Sequence, residues 1–123
     1  MEASRRIERT YKTAQKFMSN GGNVCNAFSI SVSYVKGGMS FYDYHVYPSG
    51  YRVSYTPMAL SDKGGYECRS TIIGDGFYAQ GEEAARFNRK RLEEYASKIF
   101  ANLNEWLSEH GLSNLCEQGY QEA

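Results

Sequence analysis

The N-terminal part of the chain carries apolar residues at a helical period. They recur at spacings of four, three and four positions, at Ile7, Tyr11, Ala14 and Met18. This spacing predicts a helix over residues 3–19. The sequence Asn20-Gly21-Gly22 follows it, and glycine at that place is typical of the left-handed residue that ends a helix.

A second, longer amphipathic pattern predicts a helix from Glu82 to about His110, capped by Gly111. Its apolar stripe comprises Leu92, Tyr95, Ala96, Ile99, Phe100, Leu103, Trp106 and Leu107. Phe87 projects away from this stripe, so either the first turns bend or Phe87 contacts something outside the main packing face. The residues from about 113 onward are polar apart from Leu115 and Cys116, and they predict a frayed tail.

Between the two helical patterns the period of the apolar residues changes to two. Phe28, Ile30, Val32 and Tyr34 alternate with serines, which predicts a half-buried strand. Further strands are predicted over residues 41–47, 51–56 and 66–73, and residues 77–79 form either a short fifth strand or a lead-in to the helix. The segments predicted to separate the strands are Lys36-Gly37-Gly38, Pro57, residues 61–65 and Gly74-Asp75-Gly76.

The pairing of the second and third strands follows from the turn predicted between them. Tyr47-Pro48-Ser49-Gly50 fits a type I turn, which sets Val46 opposite Tyr51 and makes one face of the hairpin apolar. The other face then carries Asp43 and His45 across from Ser54 and Arg52. A shift of one residue would bury Asp43 and His45, which is costly for an unpaired carboxylate, so we prefer the first register.

The order of these elements predicts the fold class. Short connections favour an antiparallel meander of four to five strands, covered on one face by the N-terminal helix and the long C-terminal helix. This is a two-layer α+β sandwich, and it leaves the other sheet face to solvent or to a partner. The 123 residues are 41% hydrophobic and 15% aromatic, which suffices for the core of one domain spanning residues 1–123.

Hydropathy and cysteine content indicate the compartment. The mean hydropathy is −0.60 and no apolar run approaches ~20 residues, so no membrane-spanning helix is expected. The polar N-terminal residues do not resemble a secretory signal. Three widely spaced cysteines, Cys25, Cys68 and Cys116, fit neither a disulfide framework nor a zinc site. We therefore expect a cytoplasmic protein whose cysteines act as small apolar residues, with a catalytic thiol as the less favoured alternative.

Motifs for catalysis are scarce. The glycine pairs do not open a helix as a phosphate-binding loop does, and no helix carries two histidines at metal-binding spacing. The sequence thus predicts no cofactor and no metal. The best candidate for chemistry is the polar sheet face with Asp43, His45, Arg52 and Arg69, where a carboxylate can orient an imidazole. No nucleophile is placed beside them, so a solvated polar face is the favoured interpretation.

Charge is unevenly distributed, although 14 basic and 14 acidic residues balance overall. On the predicted N-terminal helix, one basic stripe comprises Arg5, Arg9, Lys12 and Lys16. A second basic cluster at the start of the long helix comprises Arg86, Arg89, Lys90 and Arg91. A solvated helix face is the favoured interpretation, because charge runs are usually solvated, and the functional alternative is a surface for an acidic protein or a phosphate backbone.

These observations lead to a ranked set of functional hypotheses. The first is a non-enzymatic protein-binding module with an anionic partner, an inhibitor or adaptor of the kind that phages and other mobile elements encode. The second is a nucleic-acid or nucleotide binder that uses the basic helix and exposed tyrosines. The chain has 11 tyrosines in all, and some of them are expected at the surface. A small enzyme is third. A homodimer through Phe87 or the uncovered sheet face is also predicted as an option.

Overall fold

The computed structural model describes residues 5–19, 21–35, 38–39, 46–47, 50–61, 63–67, 73–78 and 87–122. The strands in these ranges are β1 (Arg6–Met18), β2 (Val24–Val35), β3 (Gly38–Met39), β4 (Val46–Tyr47), β5 (Gly50–Ser61), β6 (Gly64–Glu67), β7 (Ile73–Tyr78) and β8 (Tyr120–Glu122). The helices are α1 (Arg89–Ala101), α2 (Leu103–Glu109) and α3 (Ser113–Gln118). The α+β class is confirmed.

The main sheet is antiparallel, with strand order β6-β5-β2-β1-β8. Strand β7 pairs with β5 as well, alongside β6, and β3 and β4 pair with each other in a separate ribbon. The helices pack on one face of this sheet, where side chains of β1, β2 and β5 meet those of α1, α2 and α3 in a single core cluster. The expected layer of helices on one sheet face is therefore present.

The predicted N-terminal helix is wrong, because residues 6–18 form strand β1. Ile7 and Tyr11 are four positions apart, a spacing that keeps two residues on one face of a helix and equally on one face of a strand. Ala14 and Met18, the other members of the helical pattern, are exposed. Since β1 pairs with β2 over residues 6–12 and with β8 over residues 11–13, sheet pairing overrides the helical pattern.

A large bulge interrupts β1 near its end. Lys12 pairs with Ala27 and Phe17 pairs with Cys25, so residues 13–16 lie opposite Asn26 alone. Such an insertion changes the direction in which the following side chains project. Beyond it, Phe17 and Cys25 are buried in the core, and Met18 projects to solvent.

The prediction for β2 is confirmed, and this strand lies in the centre of the sheet. Its apolar side chains Phe28, Ile30, Val32 and Tyr34 are all buried against the helices. On the opposite face Ser29 and Ser31 retain only 4% and 6% exposure. These two serines are buried, whereas Arg52, on the same face, is exposed.

The predicted hairpin between residues 41–47 and 51–56 is also wrong. One edge of β5 pairs with β2, where Tyr51 lies opposite Tyr34. The other edge pairs with β7 and β6, and Val46 pairs instead with Met39. Both edges of β5 are thus occupied along residues 50–55. Residues 41–45, which the register prediction placed opposite β5, lie outside the described residues.

Strand β5 extends beyond the point where Pro57 was expected to end it. Pro57 lies opposite Phe28 on the β2 side. On the other side, pairing with β7 stops at Tyr55 and pairing with β6 starts at Met58. Proline is tolerated there because its missing N–H falls between the two partner strands. Gly74-Asp75-Gly76, expected as a turn, lies within β7, and residues 68–72 of the predicted fourth strand are outside the described part.

The C-terminal helical stripe is confirmed, although the helix is interrupted. The Asn88 side chain caps α1 by accepting hydrogen bonds from the backbone N–H groups of Lys90 and Arg91, so Phe87 precedes the helix. A break at Asn102 separates α1 from α2. No helix in the described ranges combines the length and apolar character needed to span a membrane.

The tail expected to fray after residue 113 is ordered, and that prediction is wrong. Leu115 of α3 is fully buried, and β8 adds an edge strand to β1. The Tyr120 ring packs edge-on against both Tyr11 and Phe28, at 5.4 Å between ring centroids in each case. Aromatic burial thus anchors the C-terminal strand to the core.

Candidate functional site

Two large apolar side chains are exposed at the end of the β1–β2 hairpin. Met18 and Val24 pair across the hairpin and are 66% and 53% exposed, and they are the exposed large hydrophobic residues found in the described ranges. The neighbouring cross-strand pair, Phe17 and Cys25, is buried. The hairpin therefore projects one apolar pair into the core and presents the next one to solvent.

A cavity of about 360 Å³ adjoins this hairpin end. Its walls come from three segments: the end of β1, the middle of β5, and the connection from α2 into α3. The lining residues are Phe17, Met18, Ser19, Tyr55, Pro57, His110, Gly111, Leu112, Asn114 and Leu115. We call Met18, Val24 and this cavity the tip surface.

Backbone hydrogen bonds fix the hairpin turn beside the cavity. The Ser19 N–H donates to the Asn23 carbonyl at 2.8 Å, and the Gly22 N–H donates to the Ser19 carbonyl at 2.9 Å. Gly22 has φ = +82°, a left-handed conformation that favours glycine. The glycines predicted to end a helix thus close a hairpin, and they hold Met18 and Val24 side by side.

The opposite wall of the cavity is held by the end of α2. The His110 ring stacks on Trp106 at 4.1 Å, and its Nδ1 lies 2.8 Å from the Trp106 carbonyl. Because a carbonyl only accepts, Nδ1 carries a proton in this arrangement. Gly111, with φ = +77°, closes the helix end, and the Leu112 N–H donates to the Leu107 carbonyl at 2.8 Å. The predicted cap at Gly111 is confirmed.

The floor of the cavity is the centre of β5. Tyr55 and Pro57 are buried there. Just beyond them the Asn26 side chain joins β2 to β5: its Oδ1 accepts from the Leu60 N–H at 2.7 Å, and its Nδ2 donates to the Leu60 carbonyl at 2.9 Å. All three walls are therefore fixed by hydrogen bonds or close packing.

Residues of opposite charge directly precede two of the lining residues in the sequence. Lys16, on the β1 side, directly precedes Phe17, and Glu109, on the α2 side, directly precedes His110. Both side chains are exposed, and the structure gives neither an ion pair within the described part of the chain. The accessible lining of the cavity is mostly polar, with Ser19, His110 and Asn114 among its residues, and the exposed apolar pair Met18 and Val24 lies beside it.

The predicted basic stripe is not a single surface, because its helix is a strand. Arg5 and Arg9 lie on the helix-covered side of β1. The Arg9 guanidinium lies 4.4 Å from the Phe100 ring centroid and pairs with Glu122 at 3.6 Å. Arg5 lies 5.8 Å from the ring of Tyr34 and 5.7 Å from that of Phe87.

The other two members of the stripe point elsewhere. Lys12 alternates with Tyr11 along β1 and so lies on the opposite sheet face, and Lys16 lies within the bulge. Both are exposed. The structure therefore divides the four cations between two faces of the sheet and its bulge.

The remaining predicted site residues are only partly described. Arg52 is exposed and lies opposite Ser33 of β2, while Asp43, His45 and Arg69 fall outside the described residues. Phe87 is half-buried, with its ring 5.7 Å from that of Tyr34. In the second basic cluster, ion pairs join Arg89 to Glu93 and Arg91 to Glu94.

Burial raises the pKa of three acidic groups near the C-terminal segment. Desolvation is the main cause of the raised pKa of Tyr11, Tyr120 and Cys116. The Cys116 thiol also donates to the Asn104 carbonyl at 3.2 Å. A raised thiol pKa disfavours the thiolate, so Cys116 does not have the environment of a reactive cysteine.

The sequence interpretation missed the tip surface because it placed Met18 on the apolar stripe of a helix. The signal that points to it is Asn20-Gly21-Gly22-Asn23, a glycine turn between two β-prone runs, which is typical of a hairpin. The cavity itself combines residues near positions 18, 56 and 112, which no local pattern connects. Comparison of the chain with protein-family models, curated proteins and solved structures finds no match.

Proposed function

We propose that this chain is a non-enzymatic protein-binding module, acting as an inhibitor or adaptor, and that it docks through the tip surface. The observation that carries the proposal is the exposed Met18–Val24 pair beside the cavity. Single exposed apolar residues are common on protein surfaces, whereas a contiguous apolar patch next to a cavity is typical of an interaction site.

The energetics of docking favour this surface. Covering the exposed parts of Met18 and Val24 contributes about 1–2 kcal/mol for each side chain. The surrounding backbone is already fixed by the Ser19 and His110 hydrogen bonds, so little ordering is required on binding. A partner side chain that fills the cavity adds to this and acts as the anchor of the interface.

The shape of the tip surface favours a protein over a small molecule. A cavity of about 360 Å³ lies at the lower end of the range for ligand pockets. A ligand confined to it would leave Val24 in water, because Val24 does not line the cavity. Only a wider surface covers the cavity, Met18 and Val24 together.

The expected anionic character of the partner remains part of the proposal. Lys16 lies beside the apolar patch, and an acidic group on the partner can pair with it. The nucleic-acid alternative remains a prediction, and the engagement of Arg9 with Phe100 and Glu122 reduces the basic surface that it requires. A salt titration of binding to generic DNA and RNA tests it, since phosphate contacts weaken steeply with salt.

Site-specific photo-crosslinking tests the proposed docking surface. A photoreactive phenylalanine analogue replaces Met18, and in a second protein it replaces Ser97, an exposed residue of α1. After irradiation in an extract of the native host, we expect defined protein adducts from position 18 and none from position 97. Val24→Asp, added to the position 18 protein, should abolish the adducts, because the charge disrupts the apolar patch.

The folded state of each variant is checked by thermal unfolding. Adducts that persist with Val24→Asp would show nonspecific capture. Equal labelling from positions 18 and 97 would mean that the tip surface has no special affinity for proteins, and the proposal would then be abandoned.

A further inference from the structure

The outer edge of β1 is only partly occupied. Strand β8 pairs with residues 11–13 of β1, and no described residue pairs with this edge over residues 6–10. Glu8 is exposed there, and Thr10 is half-buried. An open strand edge presents backbone N–H and C=O groups that can pair with another extended chain.

A backbone hydrogen bond shows which residues of β1 face this edge. The Tyr34 N–H of β2 donates to the Arg5 carbonyl at 2.9 Å, so the Arg5 carbonyl points toward β2. Because these directions alternate along an antiparallel strand, Glu8 and Thr10 direct their N–H and C=O groups away from β2. The described ranges supply no backbone partner for these groups.

The ion pair at the end of β8 shows what charge this edge accepts. Glu122 lies opposite Tyr11 and pairs with Arg9, two positions along β1, at 3.6 Å. A strand that continues the line of β8 places a residue opposite Ile7, on the same sheet face as Arg5. A carboxylate at that position has the same relation to Arg5 that Glu122 has to Arg9.

Arg5 lacks such a carboxylate. It is exposed, and the ion pairs within the described ranges do not include it. Its guanidinium lies 5.8 Å from the Tyr34 ring centroid and 5.7 Å from that of Phe87, near the limit of about 6 Å for a cation–π contact. Residues 5–12 carry four basic side chains and one acidic one, so the edge favours a strand that brings negative charge.

A second copy of the chain does not meet this requirement. In an antiparallel pairing of two β1 strands, Glu8 lies opposite one of the other copy's edge-facing residues, Arg6, Glu8 or Thr10. These three registers place Arg5 opposite Arg9, Glu8 opposite Glu8, and Arg9 opposite Arg9, respectively. Like charges directly opposite one another destabilise a strand pair, so the edge favours a strand of different sequence.

We propose that the edge of β1 over residues 6–10 takes up an extended acidic segment of a partner protein as an additional strand, antiparallel to β1 and in line with β8. Main-chain hydrogen bonds to Glu8 and Thr10 supply affinity, and a carboxylate opposite Ile7 pairs with Arg5. This edge lies at the other end of β1 from Met18, so the site is separate from the tip surface.

A capped synthetic peptide, Thr-Val-Thr-Glu-Thr-Val, tests the proposal. Its glutamate lies opposite Ile7 when the peptide pairs antiparallel with residues 5–10. In an NMR titration of the ¹⁵N-labelled chain, we expect the amide signals of Glu8 and Thr10 to shift with a dissociation constant of about 1 mM. The amide signal of Ser97 on α1 should stay unchanged. No shift at about 5 mM peptide would overturn the proposal.

Methylation of single backbone nitrogens in the peptide distinguishes strand addition from other binding. The N–H of the third residue, opposite Glu8, points at β1, and the N–H of the second residue points away. Methylation of the third should weaken binding at least about tenfold, whereas methylation of the second should change it by less than about twofold. Equal effects would mean that no strand is added.

A glutamine in place of the peptide's glutamate tests the charge. This peptide should bind about threefold to fivefold more weakly. Arg5→Gln should make the chain bind both peptides equally, whereas Lys63→Gln, the control at an exposed position before β6, should preserve the difference. Equal binding of both peptides by the unsubstituted chain would show that the edge does not select acidic segments, which would overturn the proposal.

The outcomes separate this proposal from the tip surface. Met18→Asp should leave peptide binding unchanged, and its loss in that variant would place the peptide at the tip surface instead. Crosslinked adducts from position 18 without peptide binding would support the tip surface alone. Peptide binding without those adducts would support the β1 edge alone.

Discussion

At the scale of single residues, adjacent side chains at the end of β1 have opposite roles. Phe17 is buried with Cys25, and Met18 is exposed with Val24. The bulge at residues 13–16 directly precedes these two residues. Core packing therefore falls on Phe17, and the proposed contact with a partner falls on Met18.

Alanine substitutions at these two positions test that division. Phe17→Ala should lower the free energy of unfolding by about 3–5 kcal/mol, because it removes a buried aromatic side chain. Met18→Ala should change it by no more than about 0.5 kcal/mol, as expected of an exposed site. Urea unfolding measures both. The reverse order would restore the helical assignment, in which Met18 belongs to the core.

The buried phenols and thiol predict a loss of stability in alkaline solution. Burial raises the pKa of Tyr11, Tyr120 and Cys116 in the folded state, so the folded chain retains protons that the unfolded chain releases. The unfolding free energy should therefore be constant below about pH 9 and fall as pH rises through about 9–11.

Tyr120→Phe provides the matched variant for this pH dependence. It removes one of the ionisable groups and the hydrogen bond from the Tyr120 hydroxyl to Asn104 Oδ1. We expect lower stability at pH 7 and a shallower decline above about pH 9. Urea unfolding at each pH gives the unfolding free energy. If this free energy declines with pH equally steeply with and without the substitution, Tyr120 does not contribute to the decline.

At the scale of elements, β1 connects the sheet to the C-terminal helices through its arginines. Arg9 lies over Phe100 of α1 and pairs with Glu122 of β8, so one side chain contacts two elements. Lys12, three positions along the strand, lies on the other sheet face. The sequence predicted that both residues belong to one basic stripe, but the structure gives them different roles.

Charge reversal distinguishes the two positions. Arg9→Glu should lower the unfolding free energy by about 1–2 kcal/mol, since it removes the cation–π contact and places a like charge beside Glu122. Lys12→Glu should change it by less than about 0.5 kcal/mol. Thermal and urea unfolding give the comparison, and equal small effects would mean that both side chains are solvated.

Secondary structure could be predicted from the sequence where the spacing of the apolar residues fits either a helix or a strand, but not both. Four alternating apolar residues place β2, and the α1–α2 stripe continues too long to fit a strand. The spacing of Ile7 and Tyr11 fits both a helix and a strand, and their pairing partner, β2, decides between them. The partner of β5 is likewise set by distant segments, and β8 is too short to have a pattern of its own.

At the scale of the whole molecule, the tip surface exists only because three distant segments meet. Residues 17–19 come from β1, Tyr55 and Pro57 from β5, and residues 110–115 from the end of α2 and the start of α3. The composition of the chain predicts a hydrophobic core, but it does not predict that these three segments meet. Met18 and Val24 are its exposed apolar residues, and the cavity forms only when the three segments pack together in the fold.

The most direct test of the account is the environment of the Met18 methyl group in solution. The protein has 4 methionines, and ε-¹³C-methyl labelling reports each by NMR, with a soluble paramagnetic agent as the probe of exposure. As association proceeds, we expect the Met18 signal to shift and lose its accessibility to the agent. The signal of Met58, half-buried in β5, should stay unchanged. A Met18 methyl that remains fully accessible while a partner binds would contradict the account.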